Sequence, residues 1–250
     1  MAGFNLFNFE KMKIVENRME TLERNTLSPE DFSKWVSHIE KNRLPLVEEL
    51  KERAVLSGTG LELGAGTCWL SSVLSKNKDI DKIFAVDIDS DRLALAKENF
   101  IGYFGGRPEK IEIIEGDYHS LPFEKESLDF IAVDAALHHS SNICRLLNEC
   151  KRVLKPSGVL VAIREPILPS VEPLKTYRKL FFGRKEKKKG DIENIYAWKQ
   201  WKKIFEEAGF SLAIFESFLN TTKKERLIKK LGFLNGLLFC RYYFVAKKAR

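Results

Sequence analysis

A chain of 250 residues, 44% hydrophobic and 31% charged, is long enough to bury one large core, which excludes a disordered protein. No apolar run approaches the ~18 residues of a membrane span, and the first residues lack the basic start and long apolar stretch of a secretory signal. Charge is lopsided: residues 175–250 hold 20 Lys and Arg against 7 Asp and Glu, behind a net acidic body, a pattern that suits an anionic partner as well as it suits a solvated face. Cys68, Cys144, Cys150 and Cys240 form no C-x-x-C pair. That spacing argues against a metal site or a disulfide scaffold and for a reducing, cytoplasmic setting.

Residues 1–57 read as a helical N-terminal cap. Ser28-Pro29-Glu30-Asp31 is a helix start, with a Ser N-cap, Pro in the first turn and early carboxylates. Phe32, Trp35, Val36 and Ile39 then share one helical face. Pro45 opens a second short helix that runs to about Arg53.

From Thr59 short apolar runs alternate with helical stretches. Leu61–Leu63 precedes a helix at 68–76, and Lys82–Ile88 precedes one at 90–101. Lys110–Ile114, a loop and Leu128–Asp134 follow, then a helix at 141–154 and Gly158–Ile163. Strands alternating with helices predict parallel βαβ units. Ile83-Phe84-Ala85-Val86 is apolar throughout, as a strand buried on both faces should be. Lys155-Pro156-Ser157-Gly158 reads as a turn. Beyond Glu165-Pro166 come a basic stretch at 175–189, a helix at 196–208 and strands at 211–218 and 238–246, the strands joined by a basic helical segment at 222–231.

Leu61-Glu62-Leu63-Gly64-Ala65-Gly66-Thr67-Cys68 ends the first strand of this series and opens a helix. Glycines at such a junction let the backbone turn tightly and approach a ligand, although G-x-G alone fits any strand-to-helix turn. About twenty residues on, the next strand ends at Val86-Asp87-Ile88-Asp89. A carboxylate there can accept both hydroxyls of a ribose. Asp87 ends the apolar run and is the stronger candidate; Asp89 is placed to cap the next helix. The spacing supports an adenosine-type cofactor. A nicotinamide or flavin site would want a third glycine for close helix packing, and Trp69 stands at that place.

These motifs resemble the class I S-adenosylmethionine (SAM)-dependent methyltransferases, in particular the broad group with quinone-biosynthesis and other small-molecule methylating enzymes. Glu62-Leu63-Gly64-Ala65-Gly66-Thr67 is similar to the family's first motif, with Cys68 in place of a third glycine. Gly116-Asp117-Tyr118 with Leu121-Pro122-Phe123, Ser127-Leu128-Asp129-Phe130, Ala136-Leu137-His138-His139 and Arg152–Gly158 resemble later stretches, in order. The match covers residues 58–165. The resemblance implies an α/β fold: a Rossmann-like, seven-stranded, mostly parallel sheet with helices on both faces and the last strand antiparallel. The helical N-terminus and an insertion at 166–205 within a SAM-binding domain at 58–250 would form the acceptor pocket.

By position, the Gly64–Gly66 backbone, Ala65 included, would run beside the methionine part of SAM. Glu62 would accept from its ammonium or order the loop, and Asp87 would hold the ribose hydroxyls. Ile88 would lie on the adenine face, Asp117 would accept from the adenine amino group, and the Tyr118 backbone N–H would meet a ring nitrogen. Asp134 would lie near the transferring methyl. His138 and His139 are candidate bases, since an imidazole can take a hydroxyl proton near neutral pH; lining the pocket or capping a helix are the alternatives. Glu165, at a strand end, faces the same expected crevice. Methyl transfer needs mainly alignment, so no base is obligatory.

Three functions compete. The first is methyl transfer to a small-molecule or lipid-like acceptor. The second is RNA-directed methylation using the basic C-terminal third, against which no recognisable RNA-binding module stands out. The third is a non-catalytic binding protein on the same fold. Leu174–Lys185 combines apolar and basic residues in a way that suits a cap over the site before peripheral contact with an anionic membrane. No obligate protein partner is implied.

Overall fold

The computed structural model describes residues 13–14, 28–168, 194–217 and 242–249. The basic stretch at 175–189, the helical segment at 222–231 and the first residues of the last expected strand lie outside the described residues.

In chain order the strands are β1 (Lys13–Ile14), β2 (Gly58–Leu63), β3 (Ile80–Asp87), β4 (Ile111–Glu115), β5 (Leu128–Asp134), β6 (Leu154–Ile163), β7 (Ile167–Leu168), β8 (Tyr196–Ala197), β9 (Phe210–Glu216) and β10 (Tyr242–Lys248). The helices are α1 (Pro29–Asn42), α2 (Leu44–Lys51), α3 (Trp69–Ser75), α4 (Ser90–Leu95), α5 (Ile101–Tyr103), α6 (Ile143–Val153) and α7 (Trp198–Glu207).

α1 begins as its sequence dictates. The Ser28 hydroxyl accepts the Asp31 N–H at 3.1 Å, Pro29 sits in the first turn, and Glu30 and Asp31 face the positive end of the helix dipole. Its apolar face buries Val36 and Ile39, and α2 adds Leu46, Val47 and Leu50 to the same cluster. Both helices rest on one face of the sheet beside Trp69, Leu70 and Ile83.

The main sheet has the order β1-β4-β3-β2-β5-β6-β10-β9. β2 to β6 are mutually parallel, and β10 runs antiparallel to both β6 and β9. This is the mostly parallel seven-stranded sheet with an antiparallel last strand that the resemblance implied. β1 adds a two-residue antiparallel edge on β4, within the stretch read as helical. An edge strand offers a row of open N–H and C=O groups that outweighs weak helical patterning.

Along β3, Phe84 and Val86 face one core cluster while Ile83 faces another, so both faces are covered by apolar side chains. Lys155–Gly158 departs from the expected turn. β6 already starts at Leu154, and the register jumps from Leu128↔Leu154 to Phe130↔Val159, so these four residues bulge out of the ladder. Pro156 has no N–H to give the ladder, which favours the bulge. α7 buries Trp201 and Phe205 against Phe210 and Phe244, with the Trp201 indole donating to the Pro166 carbonyl at 3.1 Å. The i, i+4 aromatic pair turns one face of this helix to the core.

β7 and β8 pair in parallel, Ile167 opposite Tyr196. All five parallel strands end at one edge of the sheet, and the strand order reverses between β2 and β5 there. Ligands of doubly wound sheets bind in that crevice. Among the described residues no helix is long and apolar enough to cross a membrane.

Candidate cofactor and catalytic site

The turn after β2 is held open by left-handed backbone. Gly64 has φ +64° and Gly66 φ +50°. A Cβ on Gly64 would stand 2.6 Å from the Ala136 Cβ, so the position tolerates only glycine. The Ala65 N–H donates to the Val86 carbonyl at 3.0 Å and the Gly66 N–H to Asp87 Oδ2 at 2.7 Å. Asp87 Oδ1 accepts the Asp89 N–H at 2.9 Å. Asp87 is therefore a clamp between the glycine loop and the end of β3, with one lone pair per oxygen left over. Asp89 caps α4, accepting the Arg92 N–H at 3.0 Å. Between them Ile88 is 71% exposed, an apolar side chain left uncovered at the open edge.

Glu62 is buried and points under the loop, where Oε2 accepts both the backbone N–H and the hydroxyl of Ser71 in α3. Burial pushes its carboxyl up to about 8, partly offset by the two Ser71 bonds. The folded protein thus holds this proton far more tightly than the unfolded chain, in which a Glu titrates near ~4.3. The stability it contributes is complete below that pH and is lost as pH rises through about 8. Thermal melts of wild type and Glu62→Gln should show it: the wild-type midpoint falls relative to the variant between about pH 5 and pH 8. Parallel curves would mean that Glu62 is ionised throughout.

Asp117 and Tyr118 follow β4, and the Gly116 N–H bonds the Asp87 carbonyl at 2.9 Å, so the two carboxylates share the edge. Asp117 Oδ1 accepts from the backbone N–H of His119 at 2.9 Å and faces its Nδ1 at 2.7 Å. Partial burial would raise the carboxyl, but these His119 bonds outweigh it and hold it below its ordinary range. Oδ2 takes no hydrogen bond among the described residues, and the side chain is 55% exposed. His119 Nε2 meets the Ser140 hydroxyl at 2.8 Å. Sequence reasoning missed His119; its place two residues after Asp117 was the available signal. A cleft of about 650 Å³ beside it is lined by Asn142, Cys144, Arg145 and Asn148 among others and contains none of the expected cofactor residues.

Asp134, at the end of β5, is enclosed by donors. Oδ2 accepts from the Trp69 indole at 2.8 Å and from Arg43 Nη1 at 3.0 Å, and Oδ1 accepts from Arg164 Nε at 2.5 Å. Trp69, noted in the sequence only for its bulk, turns out to be a hydrogen-bond partner. Neither Arg43 nor Arg164 was singled out from the sequence.

Glu165 does not face the crevice as expected. Its side chain is fully buried; Oε1 accepts the Ala136 and Leu137 N–H groups at 3.0 Å each, and Oε2 accepts the His138 N–H at 3.2 Å. Oε2 also lies 2.8 Å from His138 Nδ1. The carboxylate so caps the short 3₁₀ turn Leu137–His139 and orients the ring that follows. A carboxylate only accepts, so Nδ1 carries the proton and Nε2 of the neutral ring has a free lone pair. Nε2 takes no hydrogen bond among the described residues. His139 is exposed and stacks on His138 with ring centroids 4.0 Å apart. The Tyr118 phenol is pushed up to about 12 by burial and by the charges of Asp117, Asp87 and Glu165, and its ring centroid lies 4.8 Å from that of His119. Asn194 closes the far side, its N–H donating to the His138 carbonyl and its side-chain amide to the Ser140 carbonyl, both at 2.9 Å.

Comparison with known proteins gives this arrangement a context. Residues 61–162 match the family described as Methyltransferase domain. A demethylmenaquinone methyltransferase of Staphylococcus aureus (strain JH9) is 27% identical over 185 residues, covering 68% of this chain and 75% of that protein. The crystal structure of a Bacillus halodurans C-125 methyltransferase superposes with a TM-score of 0.61 at 21% identity, covering 82% of this chain and 99% of the other. A Haemonchus contortus phosphoethanolamine N-methyltransferase 2 in complex with S-adenosyl-L-methionine superposes with a TM-score of 0.63 at 13% identity, covering 94% and 61%. At these identities the solved structures speak to the fold.

Proposed function

We propose that this chain is a class I SAM-dependent methyltransferase, a reading supported by the methyltransferase-domain match over residues 61–162 and by the S. aureus relative, and that it methylates a hydroxyl-bearing small molecule, with His138 taking the acceptor's proton. The observation that carries this reading is the buried Glu165 behind His138, with Nδ1 at 2.8 Å and Nε2 left for a ligand. A paired carboxylate fixes the tautomer and stabilises the imidazolium that forms when Nε2 accepts a proton. A thioether or tertiary amine acceptor would have no proton to lose and no use for such a pair. Glu165 itself is a positioning residue, since both of its oxygens are occupied. The S. aureus relative is a demethylmenaquinone methyltransferase, which supports a small-molecule acceptor over RNA.

The residues present fit the cofactor. Gly64 and Gly66 supply the left-handed turn at the open edge, Ile88 offers an uncovered apolar face, and Asp117 Oδ2 is unengaged among the described residues. In this reading the Gly64–Gly66 backbone lies beside the methionine part, Asp87 takes the ribose hydroxyls, Ile88 meets the adenine face, and Asp117 and the Tyr118 N–H read the adenine edge. Glu62 orders the loop through Ser71. Asp134 acts at one remove, fixing Trp69, Arg43 and Arg164 at the edge. When bound, SAM supplies a methyl group already activated by a positive sulfonium. The chain's own contribution is alignment, exclusion of water and removal of one proton.

The test is transfer of labelled methyl from SAM to separate panels of small phenols and alcohols, small amines, and RNA. Label on a hydroxylated small molecule is the expected result. Label confined to amines or RNA rejects the reading.

A further inference from the structure

Three arginines from distant parts of the chain meet at the same edge. Arg43 comes from the α1–α2 junction, Arg92 from α4 and Arg164 from the end of β6. Arg43 and Arg164 both bond Asp134, and Arg43 also lies over the Trp69 ring at 5.7 Å. The Arg92 guanidinium sits over Trp35 at 6.0 Å, and a Cβ on Gly66 would lie 3.5 Å from its central carbon. Among the described residues that guanidinium donates no hydrogen bond.

The cations outnumber the carboxylate that holds them. Asp134 is 5% exposed and Arg43 only 15%, yet Arg43 Nε is buried with no partner among the described residues. Burial lowers the Arg43 pKa; Asp134 opposes this, while Arg164 and Arg92 push the same way as burial. Glu165, next in sequence to Arg164, is turned away toward the 136–138 amides. Arg164 also holds a left-handed backbone, φ +63°, without being glycine. Strain of that kind persists only where the surrounding structure holds the residue in place. A stabilising ion pair needs one guanidinium per carboxylate. Gathering three, with an unbonded N–H beside the glycine loop, leaves donors suited to an incoming anion.

We propose that Arg43, Arg92 and Arg164 form a seat for an anionic group, a carboxylate or a phosphate, at the open edge beside Gly66. The inference rests on the methyltransferase reading of that edge and extends it. Two sources share this chemistry: the carboxylate of the cofactor's methionine part, and a carboxylate or phosphate on the methyl acceptor.

Calorimetric titration with SAM, decarboxylated SAM and inorganic phosphate distinguishes them. Arg92→Met, on the exposed side of α4, and Arg43→Met are compared with wild type, and melts confirm folding. Should Arg43→Met fail to fold, Arg43→Lys keeps the charge without the fork and takes its place. A seat for the cofactor's carboxylate costs SAM about tenfold or more in affinity and leaves decarboxylated SAM unchanged. A seat for the acceptor's anion leaves SAM unchanged and costs phosphate about the same factor. Folded variants that bind SAM and phosphate like wild type overturn the proposal. So does an equal loss for both adenosyl ligands, which would report a disturbed loop. A wild type that binds neither adenosyl ligand strikes the cofactor reading, and the phosphate titration still tests the seat.

Discussion

Replacing His138 with alanine is expected to lower kcat by about 10²- to 10⁴-fold, the usual contribution of a positioned general base, while the SAM dissociation constant stays put. The ring's partners are Glu165 and the His139 ring, while the Asn194 N–H bonds the main-chain carbonyl. Its loss should therefore fall on turnover. Glu165→Gln gives the companion result. The amide can still accept from Nδ1 but no longer stabilises the imidazolium, so kcat drops less than in His138→Ala and the acceptor KM changes little. It also replaces an anion capping three backbone N–H groups, so its melting point should drop as well. Turnover that survives in a folded His138→Ala protein would remove the base and leave alignment as the whole of the mechanism.

Asp87→Ala should weaken SAM by roughly 1.5–3 kcal/mol, the cost of losing hydrogen bonds to a charged acceptor. The structure adds a reason beyond the ribose. Without the carboxylate the Gly66 and Asp89 N–H groups lose their partners, and the loop is no longer tied to the end of β3. Asp87→Asn keeps one carbonyl oxygen, so it should fall between Ala and wild type in both SAM affinity and melting point. Unchanged affinity in a folded Asp87→Ala protein would take the ribose role from Asp87. Asp89 is a poor heir, because its side chain is engaged in capping α4.

The parts of this site that could be read in advance are those that local chain chemistry imposes. A left-handed turn needs glycine, a buried parallel strand needs an unbroken apolar run, and a carboxylate ending such a run stands at the crevice. Gly64, Gly66, Asp87 and Ile88 belong to this class. The rest depends on partners far apart in sequence. Asp134 meets Arg43 across 91 positions and Trp69 across 65, and no period in the sequence joins them. Glu165 is legible in the sequence as a strand-end carboxylate, but its bonds to three backbone amides are not. Its Pro166 neighbour and strand-end position say nothing about three amides some 28 residues earlier. The pair of β1 with β4 was equally hidden, since two residues carry no periodicity.

The parallel pairing of β7 with β8 has an evolutionary corollary. It pins Leu168 opposite Ala197, and Asn194 ties the returning strand to the loop that bears His138. Whatever lies between those two anchors can change length without disturbing the sheet, because each doubling of a flexible loop costs only about 0.6 kcal/mol in closure entropy. Descendants of such a protein can lengthen or shorten that stretch while the strands that hold the glycine loop and Asp87 are inherited untouched.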